Sequence, residues 1–237
     1  MEAMKNGEQL ERIFIQNNLN LPELADLRKL AQECEVPVNK VPFEKLRNFN
    51  LENHKGCIAV RSKIIYQNLQ ELISWVVEQG ESPLLLLLDG VTDIRNIGAI
   101  ARTAWCCGVH AIVIPEKGVG VLGEDAIATS AGALEKIAVC RVKNLQQAIE
   151  ELHLNGIMVF ASEMTATTEV FDLDFVSPAA IIMGSEDKGI QPALYKVSDR
   201  SFRIPLQRDF DSLNVSVAAA IILYEAMKQR LSTQKML

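Results

Sequence analysis

Three short polar segments carry the side chains best suited to chemistry, and each follows a run of apolar residues. The first contains Asn96 and Arg102, the second contains Glu186, and the third contains Ser212 and Asn214. An amide, a guanidinium, a carboxylate and a hydroxyl can together orient a substrate, hold a phosphate or accept a proton. Their types and spacing do not resemble a metal-ligand set, so the sequence indicates no metal site.

Each of these segments also has an ordinary structural interpretation. Asn96 lies at or near the start of a helical stretch, where it could be a cap, and Ser212 or Asn214 could cap the last helix. Arg102, about 1.7 turns beyond Asn96, could be a solvated helix residue. The loop Gly184–Gly189 could be a tight turn, because its glycines permit positive φ.

A fourth segment, Gly118–Gly123, fits the pattern G-x-G-x-x-G that cradles a pyrophosphate in dinucleotide-binding proteins. That fold places the motif after its first strand and an acidic residue about 20 positions later. Here the motif follows the second strand of its domain, and 140–143 contains no acidic residue. We therefore expect an ordinary loop, with a nucleotide-dependent oxidoreductase as a weaker alternative.

The elements that must position these segments follow a pattern typical of an α/β protein. From Leu84 onward, continuous apolar runs alternate with helical stretches, which predicts a parallel sheet covered on both faces. Polar segments at the ends of such strands lie where α/β sheets bind ligands. Connection rules alone predict an unknotted sheet. The predicted strands are 84–88, 111–114, 137–142, 157–161, 179–183 and 202–204; the predicted helices are 97–107, 124–130, 145–152 and 213–230.

The first part of the chain has shorter elements of both kinds and predicts a separate, smaller α/β domain. We expect strands at 12–16 and 56–60, helices at 21–35 and 43–49, and a helix or helical linker at 69–77. A turn cluster, Gly80–Pro83, is the candidate boundary. The predicted domains are therefore 1–75 and 84–237, joined by a linker at 76–83.

Composition describes an ordinary aliphatic protein of 237 residues, with 49% hydrophobic, 23% charged and 5% aromatic residues. These values exclude a disordered chain and a disulfide scaffold, and no apolar run reaches the roughly 18 residues of a membrane helix. The N-terminus lacks the pattern of a signal peptide. Five cysteines without a C-x-x-C motif predict buried, reduced thiols, and we expect a cytoplasmic protein.

The net charge of −6 argues at first against nucleic acid as a partner. The charge is uneven, however. Residues 1–75 hold 10 basic and 10 acidic residues, whereas 76–237 hold 14 and 20, so the excess of −6 belongs to the second part. A local basic face therefore remains possible in the first domain.

Taken together, the three polar segments resemble the SpoU/TrmH family of RNA ribose 2′-O-methyltransferases, a branch of the SPOUT superfamily. The resemblance covers roughly 84–230 and lies in three motifs: N-x-G-A-x-x-R-T-A from Asn96, G-x-E-x-x-G from Gly184, and I-P at Ile204 followed by S-L-N-V-S-V-A from Ser212. It implies a C-terminal trefoil knot, contrary to the connection rules. It also implies S-adenosylmethionine as the cofactor, held at Gly184, Ile204 and Leu213.

The resemblance assigns roles to the polar residues as well. Arg102 would grip the phosphate beside the target ribose or stabilise the developing alkoxide, because a guanidinium stays protonated. Asn96 would orient ribose or phosphate, and Glu186 would hold Arg102 or accept the proton. Ser212 and Asn214 would complete the pocket.

The family resemblance further implies a homodimer, paired through the knotted region, and an RNA substrate. The sequence His54-Lys55-Gly56 before a predicted strand is similar to the RNA-binding domain often placed before this catalytic domain. Relatives often begin with another short strand segment, so the resemblance is compatible with a truncated N-terminus. Large-subunit rRNA is the expected substrate; a tRNA 2′-O-methyltransferase and a noncatalytic RNA-binding or assembly factor are the alternatives.

Overall fold

A computed structural model describes residues 1–19, 22–34, 36–51, 53–208 and 212–234 of the chain. Residue contacts divide it into two compact units, Met1–Ile65 and Tyr66–Leu237. The sequence places the boundary later, at 76–83. The difference arises because the strand that begins at Tyr66 and the helix after it belong to the larger unit. The functional domain boundaries stay a prediction.

The smaller unit contains a three-stranded sheet with a helix on each face. The strand order is β2-β1-β3, in which β1 is parallel to β2 and antiparallel to β3. Side chains alternate along β1, so Ile13 packs with Leu27 on one face while Phe14 packs with Leu46 on the other. The ends of the predicted helix 21–35 lie outside the described residues. The elements are α1 (Glu2–Lys5), β1 (Leu10–Gln16), α2 (Leu24–Glu33), β2 (Val38–Val41), α3 (Phe43–Arg47) and β3 (Cys57–Arg61).

The larger unit is an α/β domain built on seven parallel strands, which confirms the predicted fold class. The strand order is β10-β8-β9-β5-β6-β7-β4. Its elements are β4 (Tyr66–Gln67), α4 (Leu69–Glu78), β5 (Leu84–Asp89), α5 (Ile94–Cys106), β6 (Ala111–Pro115), α6 (Glu124–Thr129), β7 (Ala138–Val142), α7 (Leu145–Leu154), β8 (Met158–Ser162), β9 (Ala179–Gly184), α8 (Pro192–Val197), β10 (Arg200–Phe202) and α9 (Val215–Gln234).

The core of this unit lies along both faces of the central strands. Every residue from Leu84 to Leu88 in β5 is 0% exposed, as expected for a strand covered by helices on both faces. The neighbouring strand β9 is buried in the same way from Ala179 to Ile182. This rigid centre fixes where the chain leaves the sheet at the carboxyl ends of β5 and β9.

The chain reverses its direction across the sheet between β5 and β9. From β5 it proceeds to β6 on one side, and from β9 it proceeds through α8 to β10 on the other side. The loops after these two adjacent strands therefore diverge and leave a crevice at the carboxyl edge. Open α/β sheets bind their ligands at such a switch point.

Several details of the larger unit differ from the sequence-based expectations. The two-residue strand β4 and the helix α8 were not predicted, and the predicted strand 202–204 lies two residues earlier, in β10. Helix α9 begins at Val215 rather than at 213 and extends to Gln234. The trefoil knot is a property of chain threading and stays a prediction.

The cysteines are all free, but the expectation that they are buried is wrong for two of them, and Cys57 is only half-buried. Cys34 and Cys106 are exposed, because they lie at the C-terminal ends of α2 and α5 rather than within the core. Cys107 and Cys140 are buried. Burial raises the pKa of the Cys140 thiol to about 12.

Candidate active site at the carboxyl edge of the parallel sheet

The first polar segment forms the turn between β5 and α5. The cap of α5 is Asp93, whose carboxylate accepts a hydrogen bond from the amide of Arg95 at 2.8 Å. Asn96 lies within the first turn of the helix, so its side chain is not used for capping. Hydrogen bonds from Arg95 hold the pKa of Asp93 below its usual range. Asp93 is thus an ionised structural group, and Asn96 is available to the crevice.

The second polar segment, after β9, is a closed loop that requires its glycines. The amide of Ser185 donates to the carbonyl of Gly189 at 3.2 Å, and the amide of Gly189 donates back to Ser185 at 2.9 Å. A Cβ on Gly184 would overlap the backbone of Gly189 and Ile190, and Gly189 has φ +64. The tight-turn interpretation is therefore correct, and the same turn directs Glu186 into the crevice.

The third segment leads into α9, and Asn214 is a cap with a second role. Its Oδ1 accepts from the amides of Ser216 at 3.0 Å and Val217 at 3.3 Å, which satisfies the first turn of the helix. Its Nδ2 points the other way and donates to Asn96 Oδ1 at 3.1 Å and to Glu186 Oε1. One side chain therefore joins the helix start to the other two segments.

Asn96, Glu186 and Asn214 form a single hydrogen-bonded cluster. Asn96 Nδ2 donates to Glu186 Oε1 at 3.4 Å, and the amide of Val215 donates to the same oxygen at 3.3 Å. These residues are separated by 90 and 28 positions in sequence. The structure thus brings together three of the five residues predicted to be catalytic, while their roles stay predictions.

Two adjacent cavities open on either side of this cluster. The first, of about 380 Å³, is lined by all three predicted cofactor-binding residues, Gly184, Ile204 and Leu213, and by Ser212. The second, of about 530 Å³, is lined by Asn96 and by the loops after β5 and β9. Both cavities share Ser185, Glu186, Gly189 and Val215 in their walls. Glu186 therefore lies at the junction of two spaces, as a group between two reactants would.

Arg102 lies apart from the cluster. It is exposed on α5, and within the described ranges no hydrogen bond or ion pair engages its guanidinium. Glu186 accepts hydrogen bonds from Asn96, Asn214 and Val215 instead of from Arg102. The expectation that Glu186 holds Arg102 is not met among the described contacts.

A hydrogen-bonded pair at the base of the crevice, Asp89 and Gln191, was missed by the sequence analysis. Asp89, 2% exposed, ends β5, and its carboxylate accepts from the amide of Gln191 at 2.7 Å and from its Nε2 at 2.5 Å. The pair fastens the end of the loop after β9 to the end of β5. The signal was present, since Asp89 is the first polar residue after the apolar run of β5.

Two of the three glycines of Gly118–Gly123 have structural causes. Gly118 has φ +84, and a Cβ on Gly120 would press against the carbonyl of Thr92. Gly123, which precedes the short helix α6, has room for a Cβ. The loop after β6 packs through Gly120 against the start of α5, and these contacts explain Gly118 and Gly120 as parts of an ordinary loop.

Two other kinds of feature are absent from the described ranges. No group of three or more His, Cys, Asp or Glu side chains there could hold a metal ion. None of the helices described there is both long and apolar enough to cross a membrane.

Comparison with protein families identifies both parts of the chain. A model described as the SpoU rRNA Methylase family matches 83–224, and one described as RNA 2′-O ribose methyltransferase substrate binding matches 1–67. The chain is 31% identical over 230 residues to YacO of Bacillus subtilis, which is named as a TrmH family tRNA/rRNA methyltransferase. That alignment covers 97% of this chain and 92% of the relative.

Solved structures share the fold over nearly the whole chain. The SpoU methyltransferase AviRb of Streptomyces viridochromogenes, in complex with AdoMet, superposes with a TM-score of 0.65 at 23% identity, covering 97% of this chain and 87% of its own. An AdoMet-bound rRNA methyltransferase of Sinorhizobium meliloti gives a TM-score of 0.63 at 21% identity, covering 96% and 83%. At these identities the likeness establishes the fold.

Proposed function

Because the chain belongs to the SpoU rRNA methylase family, and so to the RNA methyltransferases of the SpoU/TrmH type, we propose that it methylates a ribose 2′-hydroxyl of large-subunit rRNA with S-adenosylmethionine. The observation that carries the proposal is the pair of cavities that meet at Glu186. One cavity takes the cofactor and the other takes the ribose. The match of 1–67 to an RNA substrate-binding domain supports RNA as the substrate.

The residues around the 380 Å³ cavity fit S-adenosylmethionine. Its volume is within the range of about 300–1,000 Å³ typical of small-molecule sites. Ile204, Leu213 and Ala218 offer apolar contacts to an adenine ring, while Glu163 and Glu186 offer carboxylates to a cationic sulfonium and ammonium group. When bound, the cofactor would supply an electrophilic methyl group, and the bond from this carbon to sulfur would break as the new bond to oxygen forms, leaving the sulfur as a neutral thioether.

The polar cluster accounts for the other half of the proposed reaction. Asn96 holds the ribose in the 530 Å³ cavity, and Glu186 accepts the proton of the 2′-hydroxyl as the oxygen forms its bond to the methyl carbon. Asn214 keeps both side chains in place. Arg102, which remains protonated, binds the adjacent phosphate or the developing alkoxide.

A methylation assay tests the proposal and its substrate. The purified protein is incubated with S-adenosylmethionine carrying a labelled methyl group and with rRNA or tRNA from cells lacking the gene. We expect label in large-subunit rRNA, recovered after digestion as a 2′-O-methylnucleotide. Label only in tRNA would favour the alternative substrate. Binding of RNA without binding of S-adenosylmethionine would favour a noncatalytic RNA-binding factor.

A second copy of the chain is the proposed partner of helix α9. Helix α9 has one exposed apolar stripe, formed by Val217, Ile221, Tyr224 and Leu231. These side chains are 40–61% exposed. They recur at intervals of three, four or seven residues, which places them on one face of the helix. The stripe extends for about 21 Å, and a twofold axis would pair it with itself. The family resemblance implies a homodimer as well.

Sedimentation measures the proposed dimer directly. We expect a species of about twice 26.3 kDa at micromolar concentration. Ile221→Glu should give the monomer, whereas Val77→Glu, at an exposed apolar position on α4, should leave the dimer intact. A monomer for the unmodified protein would refute the pairing.

A further inference from the structure

The smaller unit carries an exposed aromatic and basic surface that the proposed reaction leaves unused. It consists of Phe43, Arg47, His54 and Lys55, here called the Phe43 surface. Phe43 is 44% exposed, and its ring centroid lies 5.8 Å from that of the His54 imidazole. Phe43 and Arg47 are four residues apart in α3 and therefore share one helix face.

The turn that carries His54 and Lys55 has an unfavourable residue at its centre. The amide of Cys57 donates to the carbonyl of His54 at 2.9 Å, and the two residues between them, Lys55 and Gly56, have φ +47 and +77. The left-handed region costs a residue with a Cβ about 1–2 kcal/mol, and asparagine tolerates it better than lysine. A lysine at this position suggests that its charge is used.

The local charge contrasts with that of the whole chain. Residues 38–61 contain five basic and two acidic residues, a net of +3 (5 − 2), whereas the chain has −6. Arg47 and Lys55 are exposed, and within the described ranges neither side chain has a hydrogen bond or ion pair. Glu44 is the acidic neighbour on α3. Arg47, on the helix face of Phe43, and Lys55, next to His54 in the turn, are thus available to an anionic ligand.

We propose that the Phe43 surface binds an unpaired segment of the RNA substrate, with a base stacked on Phe43 and phosphates at Arg47 and Lys55. The inference rests on the proposed function, which supplies RNA as the ligand. Proteins recognise single-stranded RNA by stacking bases on aromatic side chains beside basic ones. The match of 1–67 to an RNA substrate-binding domain does not say which residues touch the RNA. The Phe43 surface names the residues that would make this contact.

Binding to two RNA probes tests the stacking contact. One probe is a fluorescein-labelled hairpin with an unpaired adenine loop, and the other is a blunt duplex with the sequence of its stem. In the full-length protein, Phe43→Ala should weaken hairpin binding about 5- to 150-fold, the effect of removing one base–aromatic contact, and should leave duplex binding unchanged. Phe43→Trp should restore hairpin binding. Phe171→Ala, at a 53% exposed phenylalanine of the larger unit, is the control.

A second variant separates binding from stability at the turn. Lys55→Asn should raise the melting temperature, because asparagine tolerates the left-handed region better, and should weaken hairpin binding. The salt dependence of log K should become shallower by about 0.7, the value for one lost phosphate contact on a single strand. Lys29→Gln, exposed on α2 across the sheet, should change neither quantity.

The outcomes distinguish this inference from the proposed function. If Phe43→Ala binds the hairpin as tightly as the unmodified protein, or loses hairpin and duplex binding equally, the Phe43 surface is not a stacking site, while rRNA methylation by the unmodified protein would still stand. If the unmodified protein binds neither probe and methylates no RNA, both proposals fail.

Discussion

The two edges of the seven-stranded sheet carry similar polar residues in different arrangements. At the amino edge these residues hold the starts of strands: His110 Nδ1 accepts from the amide of Leu84 at 2.9 Å, and Asp199 accepts from the amide of Val159 at 2.7 Å. At the carboxyl edge, Asn96 and Glu186 bond to other side chains and line open cavities. A polar side chain that only holds the start of a strand is structural, whereas a cluster of polar side chains beside a cavity is available to a ligand.

Cavity size alone would have selected the other edge. A cavity of about 1,070 Å³ lies at the amino edge, lined by the only two tryptophans of the sequence, Trp75 and Trp105. The His110 side chain in its wall, 12% exposed, is already engaged by Leu84 and, at 2.8 Å, by Glu81. The smaller cavities contain the convergent polar groups and the glycine loop, so chemistry rather than volume locates the proposed site.

The largest effect is expected at the carboxyl edge, from Arg102→Ala. Loss of a charge that acts only on the RNA phosphate or the developing alkoxide should lower the methylation rate about 100- to 1,000-fold. Because the described contacts leave Arg102 without a partner, S-adenosylmethionine affinity and thermal stability should be unchanged. Single-turnover methylation at saturating RNA measures the rate, and calorimetry measures the affinity.

Arg95→Ala is the matched control on the same helix. Arg95 is also exposed, with a side-chain accessibility of 81%, and is paired to Asp93 at 2.8 Å. Loss of the Arg95 side chain should reduce the methylation rate less than about threefold. The exposed ion pair with Asp93 contributes little to stability, so helix α5 should stay in place. Equal rate losses for the two variants would show general damage to α5 and would remove Arg102 from the proposed chemistry.

At the amino edge the larger effect is expected on stability, from Arg230→Met. The Arg230 guanidinium donates to the carbonyls of Phe175 at 2.7 Å, Ser82 at 2.5 Å and Pro83 at 3.1 Å, which tie α9 to the segments before β5 and β9. Burial lowers the pKa of Arg230, although a guanidinium remains charged. Leaving these carbonyls without donors should lower the free energy of unfolding by about 2–4 kcal/mol.

Urea unfolding measures the lower free energy of unfolding of Arg230→Met. The methylation rate then distinguishes a variant at the amino edge from one at the carboxyl edge. The methylation rate per folded molecule of Arg230→Met should match that of the unmodified protein, in contrast to Arg102→Ala. Arg200→Met, at an exposed position, should cost less than about 0.5 kcal/mol. A lower rate in fully folded Arg230→Met would show that the amino edge also supports the reaction.

Much of this contrast was accessible from the sequence, because it depends on local patterns. The apolar runs predicted six of the seven strands within two residues, and the polar groups after β5 and β9 predicted the edge where they meet. Strand β4 has only two residues and no alternation, so only its pairing with β7 reveals it. The bond between Asn96 and Asn214 spans 118 positions and exists only after both strands and α9 have packed.

The smallest effect is expected from Asp174, in the turn before β9 at the amino edge. Its carboxylate accepts from the hydroxyl of Ser177 at 2.6 Å and from the amide of Val176 at 2.9 Å, and these bonds hold its pKa below the ordinary value. The stabilisation from a carboxyl group with a lowered pKa is present above the unfolded-state pKa of about 3.9 and is lost as the pH falls below it. Because the side chain is largely exposed, we expect less than about 1 kcal/mol.

Asp174→Asn isolates this contribution and tests whether the turn is purely structural. The variant should be slightly less stable than the unmodified protein in urea at pH 7, and the difference should shrink as the pH falls below about 4 and through the lowered pKa of the native carboxylate. Its methylation rate at pH 7 should be unchanged, because the turn contacts neither of the two cavities at the carboxyl edge. A stability difference that is constant with pH would assign the loss to the altered hydrogen bonds of the turn rather than to its charge.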